Sequence, residues 1–331
     1  MTRPGFWFTP PEAPDPRARL LAPLGWLQAR MTARRIARGR GWRAPVPVIC
    51  VGSLDAGNVG VMPAVQALAL HLQSRGRSPA ILSRATDAAA PLIVDERRHT
   101  AADVGDAPLL SAVFATTWIA PDLASGARAI TGASAPTADC ILLDGGFQDP
   151  SLIKDLSVIA VDAVRGFGNG RCIPAGPLRE PVTQGLSRAD LLLSVGPPAA
   201  QTAFRRAWPD IVDAPTIRGR MEPLQTGMDW RDARILAFVG LDDPDGFFAI
   251  LKGLGANLIR TETLGDRRPL TTTLMTRLKR EAQLRGAQLV TTERQAVRLP
   301  ASFRREVLTL PIRLQIQDHA PLDSALKRRG L

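Results

Sequence analysis

The chain has 331 residues, 45% of them hydrophobic, and a formal net charge of +11 at pH 7. That hydrophobic share supports a packed core, and a length beyond the ~250–300 residues at which single cores stop growing points to two domains. No run of ~18 apolar residues appears and the N-terminus carries no export signal, so the expected location is the cytoplasm.

Near the N-terminus Phe6, Trp7 and Phe8 precede a Pro-rich turn. Leu20, Leu24, Leu27 and Met31 then fall on one helical stripe, and Arg30, Arg34 and Arg38 on another. Apolar and basic stripes on one helix, with Trp26 among them, predict an amphipathic segment over residues 1–45 that lies at a headgroup boundary, its regular part starting near Pro23. The excess charge of the whole chain is nearly all arginine and is not accompanied by the aromatics of RNA-binding modules, so nucleic acid is not expected as a partner. An anionic membrane or a phosphorylated substrate suits it better.

The chain is organised around Val46 to Leu72. An apolar run (Val46, Val48 to Val51) meets a turn bearing Gly52, Gly57 and Gly60, after which Val61, Val65, Leu68 and Leu72 recur at helical spacing. Strand, glycine-bearing loop and helix in that order aim loop amides and a helix N-terminus at a phosphate. Such loops end in Gly-Lys-Ser/Thr, whereas this one ends Gly60-Val61-Met62. The side chains that reach phosphate and hold Mg²⁺ are therefore replaced by an alkyl group and a thioether. Lys154 is the first lysine in the chain, and Arg84, after the next strand, is the best-placed substitute cation.

Further buried strands are expected at Pro79 to Leu82, Thr117 to Ala120, Cys140 to Leu143, Leu156 to Val161 and Leu191 to Val195. Their alternation with helical or loop spacing predicts a mostly parallel sheet with helices on both faces, and function at the strands' carboxyl ends. Asp144 and Asp162 close two of them, and an acid placed as Asp144 is commonly a metal partner beside a phosphate loop. Cys50, Cys140 and Cys172 have no paired-ligand spacing and read as reduced thiols. Residues 165–181 (RGFGNGRCIPAGPLREP) form a Gly/Pro-rich stretch suited to a binding loop. The pattern restarts near Arg218, with strands expected at Ile235 to Val239, Leu258 to Leu264, Gln288 to Thr291 and Val307 to Pro311 and a helix at Leu274 to Leu284. The expected domains are thus 1–45, an α/β core over 46–217 and a smaller α/β domain over 218–331.

FWFTPP at the start, APVPVICVGSLDAGNVG, VGDAPLL (104–110), LLDGGFQDP (142–150), the 165–181 stretch, ILAFVGLDDPDGFF (235–248) and LVTTERQAVRLP (289–300) together resemble the tetraacyldisaccharide 4'-kinases, the lipid A kinases of Gram-negative bacteria. The resemblance implies a P-loop α/β core joined by a two-stranded linker to a smaller α/β domain. It also implies ATP- and Mg²⁺-dependent phosphorylation of the 4'-hydroxyl of an acylated disaccharide lipid, at the cytoplasmic face of the inner membrane. It assigns Asp106 to the catalytic apparatus, Gly57, Asn58, Val59, Gly60, Val61 and Met62 to the nucleotide loop, Asp144 and Glu180 to the metal, and Asn169, Arg171 and Arg165 to the lipid.

The departures fall on the nucleotide side. The family's GGTGKTP is Gly57-Asn58-Val59-Gly60-Val61-Met62-Pro63, its GDEP loses the glutamate at Ala107, its DDGFQH has Gly145 for the second aspartate, and its Asp-His-His-Pro is Asp266-Arg267-Arg268-Pro269. Two expectations follow. One is a 4'-kinase with a reorganised site; the other is a non-catalytic relative that binds the lipid.

Overall fold

The structure is a computed structural model that describes residues 4–57, 60–132, 134–209, 215–240, 244–265 and 269–331. The chain folds into two compact units. One comprises Arg3–Asp95, Ser111–Met221 and Leu314–Leu331, the other Glu96–Leu110 and Glu222–Arg313.

The first unit is built on a nine-stranded sheet. In chain order its strands are β1 (Val48–Gly52), β2 (Pro79–Arg84), β3 (Leu92–Ile93), β4 (Thr117–Ala120), β5 (Cys140–Asp144), β6 (Leu156–Asp162), β7 (Leu191–Val195) and β8 (Thr216–Pro223), with β13 (Ile312–Ile316) near the C-terminus. The spatial order is β13-β8-β7-β6-β1-β5-β2-β4-β3. Pairing is parallel from β8 through to β4, and β3 is antiparallel to β4. β1 lies mid-sheet and is buried along its whole length, which is why it reads as a continuous apolar run and not as an alternation. Its residues divide between two cores. Val48 and Cys50 join Leu123, Phe147 and Phe167 on one face; Ile49 and Val51 join Val65, Leu68, Leu322 and Leu326 on the other.

The helices of this unit are α1 (Pro16–Leu20), α2 (Ala22–Arg38), α3 (Val61–Ser74), α6 (Leu123–Ile130), α7 (Val182–Leu186), α8 (Pro198–Ala207) and α12 (Ala320–Lys327). Asp15 caps α1 by accepting from the Arg17 amide at 2.8 Å, with Pro16 in the first turn. α2 turns its small residues Gly25, Ala29 and Thr32 inward. The fit is close: a Cβ at Gly25 would lie 2.6 Å from the Cys172 carbonyl oxygen. Leu24, Trp26, Leu27 and Met31 of α2 and Leu20 at the end of α1 are exposed, Leu20 at 80% and Trp26 at 62%. The stripe read from the sequence is therefore not the face by which the segment docks. Among the described residues no helix is long and apolar enough to cross a membrane.

The second unit holds a four-stranded parallel sheet, ordered β10 (Asn257–Thr263), β9 (Arg234–Val239), β11 (Gln288–Thr292), β12 (Leu308–Leu310). Its helices are α4 (Ala101–Val104), α5 (Asp106–Ser111), α9 (Pro244–Gly253), α10 (Thr272–Leu284) and α11 (Glu293–Ala296).

Every strand expected from apolar runs is present, within two residues at each end. β1 starts at Val48, not Val46, and the amide of Val48 donates to Asp155. β5 and β6 each extend by one residue to include Asp144 and Asp162. The apolar runs do not reveal β8, β13 or the two-residue β3. β8 (TIRGRMEP) alternates exposed and buried positions along its first half and carries arginines on the open face.

Candidate functional site

The loop after β1 is held in shape by its own polar residues. A Cβ at Gly52 would fall 2.5 Å from that of Phe147, so only glycine ends this strand. The Ser53 hydroxyl donates to Asp55 Oδ1 at 3.0 Å, and the Gly57 amide donates to the same oxygen at 2.9 Å. Arg179 braces the loop from outside, its Nε donating to the Asp55 carbonyl and one NH₂ to that of Ala56, both at 3.1 Å. Burial pushes the Arg179 guanidinium below the ordinary arginine pKa. Gly60, at φ +80°, turns the chain into α3. Asn58 and Val59 lie outside the described residues. Val61 is 1% exposed and packs in the core with Val65, while Met62 is half-buried. Strand, turn and helix thus form as the sequence indicates, and the position at which such loops offer a lysine is a core valine.

At the end of β5, Asp144 Oδ2 accepts from the Ser83 hydroxyl at 3.2 Å, a contact set by the parallel register that pairs the two residues. Gly145 follows at φ +85°, its amide donating to the Val51 carbonyl at 2.9 Å. Glu180 is 3% exposed, and both of its oxygens are engaged. Oε1 accepts from Gln148 Nε2 at 2.9 Å and Oε2 from Arg188. Gln148 also donates to the Ser53 carbonyl at 3.0 Å, so Glu180, Gln148 and the phosphate-type loop form one network. Arg84, the best-placed substitute cation, pairs with the Asp149 carboxylate at 3.4 Å. Lys154, the first lysine in the chain, donates to the Asp149 carbonyl, burial lowering its pKa. All three cysteines are buried free thiols; burial pushes Cys50 and Cys140 up to about 12 and Cys172 to about 11.

The 165–181 loop folds onto the N-terminal segment. Asn169 is 3% exposed; its Nδ2 donates to Phe6 and Ala175 carbonyls at 3.2 and 3.0 Å, and its Oδ1 accepts from the Arg171 amide at 3.1 Å. Trp7 Nε1 donates to the Pro174 carbonyl at 3.0 Å, and the Arg165 guanidinium lies over the Phe8 ring, 5.3 Å from its centroid. Arg171 is half-buried, with a buried Nε that has no hydrogen-bond partner. The side-chain amide of Asn169 is thus spent within the protein. Arg171 and Arg165, both half-buried, are the other members of the predicted lipid set.

Asp106 belongs to the second unit. Thr100 and Asp103 form a capping box at α4, Gly105 follows at φ +88°, and Asp106 opens α5. Its Oδ1 accepts from the Ala107 amide at 3.0 Å and its Oδ2 from Arg294 Nε at 2.7 Å. Arg294 lies within the LVTTERQAVRLP stretch, but nothing in its residue type or spacing singles it out. Asp266, Arg267 and Arg268 lie outside the described residues.

The donor set decides how well the family's Mg²⁺-nucleotide fits. Mg²⁺ takes hard oxygen ligands in a near-octahedral shell. Asp144 supplies one carboxylate, Gly145 none, and Glu180 has both oxygens engaged. Among the described residues no three His, Cys, Asp or Glu side chains are grouped to hold a metal. With Val61 and Met62 in place of lysine and a hydroxyl, the described part of this loop does not fit the group.

A family profile described as Tetraacyldisaccharide-1-P 4'-kinase matches residues 17–330. The chain is 54% identical over 329 residues to the tetraacyldisaccharide 4'-kinase of Dinoroseobacter shibae, covering 98% of this chain and 97% of that one. It is 49% identical over 330 residues to that of Jannaschia sp., covering 99% of each. Its fold is that of Aquifex aeolicus LpxK, crystallised in an "apo" form in complex with ATP: the TM-score is 0.76 at 23% identity, over 95% of this chain and 99% of that one. By profile and by identity, the chain belongs to the tetraacyldisaccharide 4'-kinase family.

Proposed function

We propose that the protein acts at the step its family serves, the phosphorylation of the 4'-hydroxyl of the acylated disaccharide precursor of lipid A, and that it does so slowly. The observation that carries this reading is the full-length identity to 4'-kinases together with the retained Asp106, Asp144 and 165–181 loop. The outward Leu, Trp and Met stripe with Arg30, Arg34 and Arg38 supports a peripheral position on the cytoplasmic face of the inner membrane. There Arg171 and Arg165 meet the lipid's sugar or phosphate, for which guanidinium forks are suited. Asp106 is the group that takes the hydroxyl proton. Asp144, at the end of β5, is the acid that would contribute a carboxylate to a metal there. The family's phosphoryl donor is Mg²⁺-ATP, and the described part of the loop, with Val61 and Met62 in place of a lysine and a hydroxyl, would hold it poorly. Losing one such charge-stabilising donor costs ~10²–10³ in rate, so turnover well below that of an intact relative is expected.

A second reading has its own observation. Val61 is 1% exposed within an apolar core, an environment that suits a loop no longer required to hold phosphate. On that reading the protein binds the lipid and does not turn over. The deciding experiment is rescue of a strain depleted of its own lipid A kinase, with the native gene and with Asp106→Ala. Rescue by the native gene and failure of the variant support the slow kinase. Failure of both, with lipid binding retained, supports the binding protein.

A further inference from the structure

We infer that Arg294 is the positioning residue for Asp106, holding its carboxylate in one orientation. The inference rests on the proposed kinase reading for its role, and on geometry for its substance. A carboxylate that takes a proton from a sugar hydroxyl, leaving the oxygen as a nucleophile, has to be kept deprotonated and aimed. Arg294 Nε donates to Asp106 Oδ2 at 2.7 Å, within the range of charge-assisted bonds.

The arginine is presented by a short helix fixed on each side of it. Thr292 caps α11 by accepting from the Gln295 amide at 3.3 Å. Glu293 makes a two-pronged pair with Arg313, one prong at 2.9 Å. Gln295, 1% exposed, donates through Nε2 to the Gly240 carbonyl at 3.1 Å. With Thr292 at the end of β11, Glu293 paired with Arg313 and Gln295 tied to the end of β9, the backbone that presents Arg294 is held on both sides. Its partner is equally constrained, since Asp106 sits in the first turn of α5 directly after Gly105, and its Oδ1 is turned back to the Ala107 amide. A guanidinium stays protonated at any working pH, so it orients and neutralises but cannot relay the proton as an imidazole does. Where the family's histidine is replaced by Arg267, Arg294 provides a permanent cation for the acid.

The test uses the full-length protein with tetraacyl disaccharide and Mg²⁺-ATP in mixed micelles. Arg294→Ala is expected to lower kcat about 10²-fold while KM for the lipid changes less than about twofold, and Arg294→Lys to recover most of the loss. Wild-type kcat in Arg294→Ala, or no recovery with lysine, overturns the proposal. An activity-independent measurement separates it from the kinase reading. The Arg294 Nε–H resonance in an arginine-selective ¹H–¹⁵N spectrum, identified by its loss in Arg294→Lys, is expected to be protected from exchange in the wild type and unprotected in Asp106→Ala. An unprotected resonance in the wild type refutes the pair. If the wild type shows no turnover above Asp106→Ala, the kinase reading has failed, and the positioning of Asp106 stands or falls on that resonance.

Discussion

Asn169→Ala separates a structural from a lipid-contacting role within the 165–181 loop. The substitution removes two donated bonds, to Phe6 and Ala175 carbonyls at 3.2 and 3.0 Å, and one accepted from the Arg171 amide at 3.1 Å. A typical intramolecular hydrogen bond is worth about 1 kcal/mol net, so the three together contribute about 3 kcal/mol, more if the stranded groups remain dry. For a domain of this size about 3 kcal/mol corresponds to a fall of roughly 6–12 °C in thermal midpoint. Asn169→Asp is the stricter control: it keeps the acceptor for Arg171 and loses both donors, and it sets a carboxylate against two carbonyls, so the loss should be at least as large. Urea melts at 20 °C measure the stability, and hydrogen exchange at Trp7 and Asn169, whose backbones are joined by a 2.8 Å bond, reports whether the N-terminal segment loosens. Lipid affinity, measured well below the midpoint, should stay within about twofold of wild type. An unmoved midpoint with lost lipid binding would refute the reasoning and return Asn169 to the lipid.

Three further outcomes are expected. Replacing Arg30, Arg34 and Arg38 by glutamate should release the protein from anionic liposomes, since each basic residue near such a surface contributes ~1 kcal/mol; unchanged co-sedimentation would remove the membrane role of α2. Asn58→Gly, Val61→Lys, Met62→Thr, Gly145→Asp and Arg267→His combined should raise 4'-kinase turnover by ~10² or more, at a stability cost of about 1–2 kcal/mol for a side chain at the φ of +85° that Gly145 adopts and of a few kcal/mol more for a lysine at the core position of Val61; an unchanged rate in a variant that still melts cooperatively would show that the lost residues do not limit it. Acid should loosen α12. Burial, and then the His71 ring stacked on it at 4.5 Å, push the His319 pKa below the ordinary histidine value, with Asp323, Arg75 and Asp318 the other charged groups around it. The unfolded chain therefore takes up the proton first, and stability should fall as pH drops through about 6.5. His319→Gln should flatten that dependence of the midpoint, and an identical slope would assign it elsewhere.

The sequence alone determined the elements whose burial is written into runs of residue types. β1, β2 and β4 to β7 are buried strands and read as apolar segments, and α3 announces itself by Val61, Val65, Leu68 and Leu72 after a glycine turn. The family was legible because motif spacing survives along nearly the whole chain even where the loop's charged residues do not. Tertiary structure decided which groups meet. β8 and β13 escape apolar-run reading because one side of each is open, and the return of residues 314–331 to the first unit depends on where α12 finds a complementary face, on the core of α3. The outward aim of the α2 stripe follows from small residues fitting against Cys172, which a helical wheel cannot distinguish from the opposite orientation. Gln148, Phe6 and Arg294, which meet Glu180, Asn169 and Asp106, lie 32, 163 and 188 residues away along the chain. Chemistry at such separations is fixed by sheet register and loop packing, and no local pattern of residues encodes it.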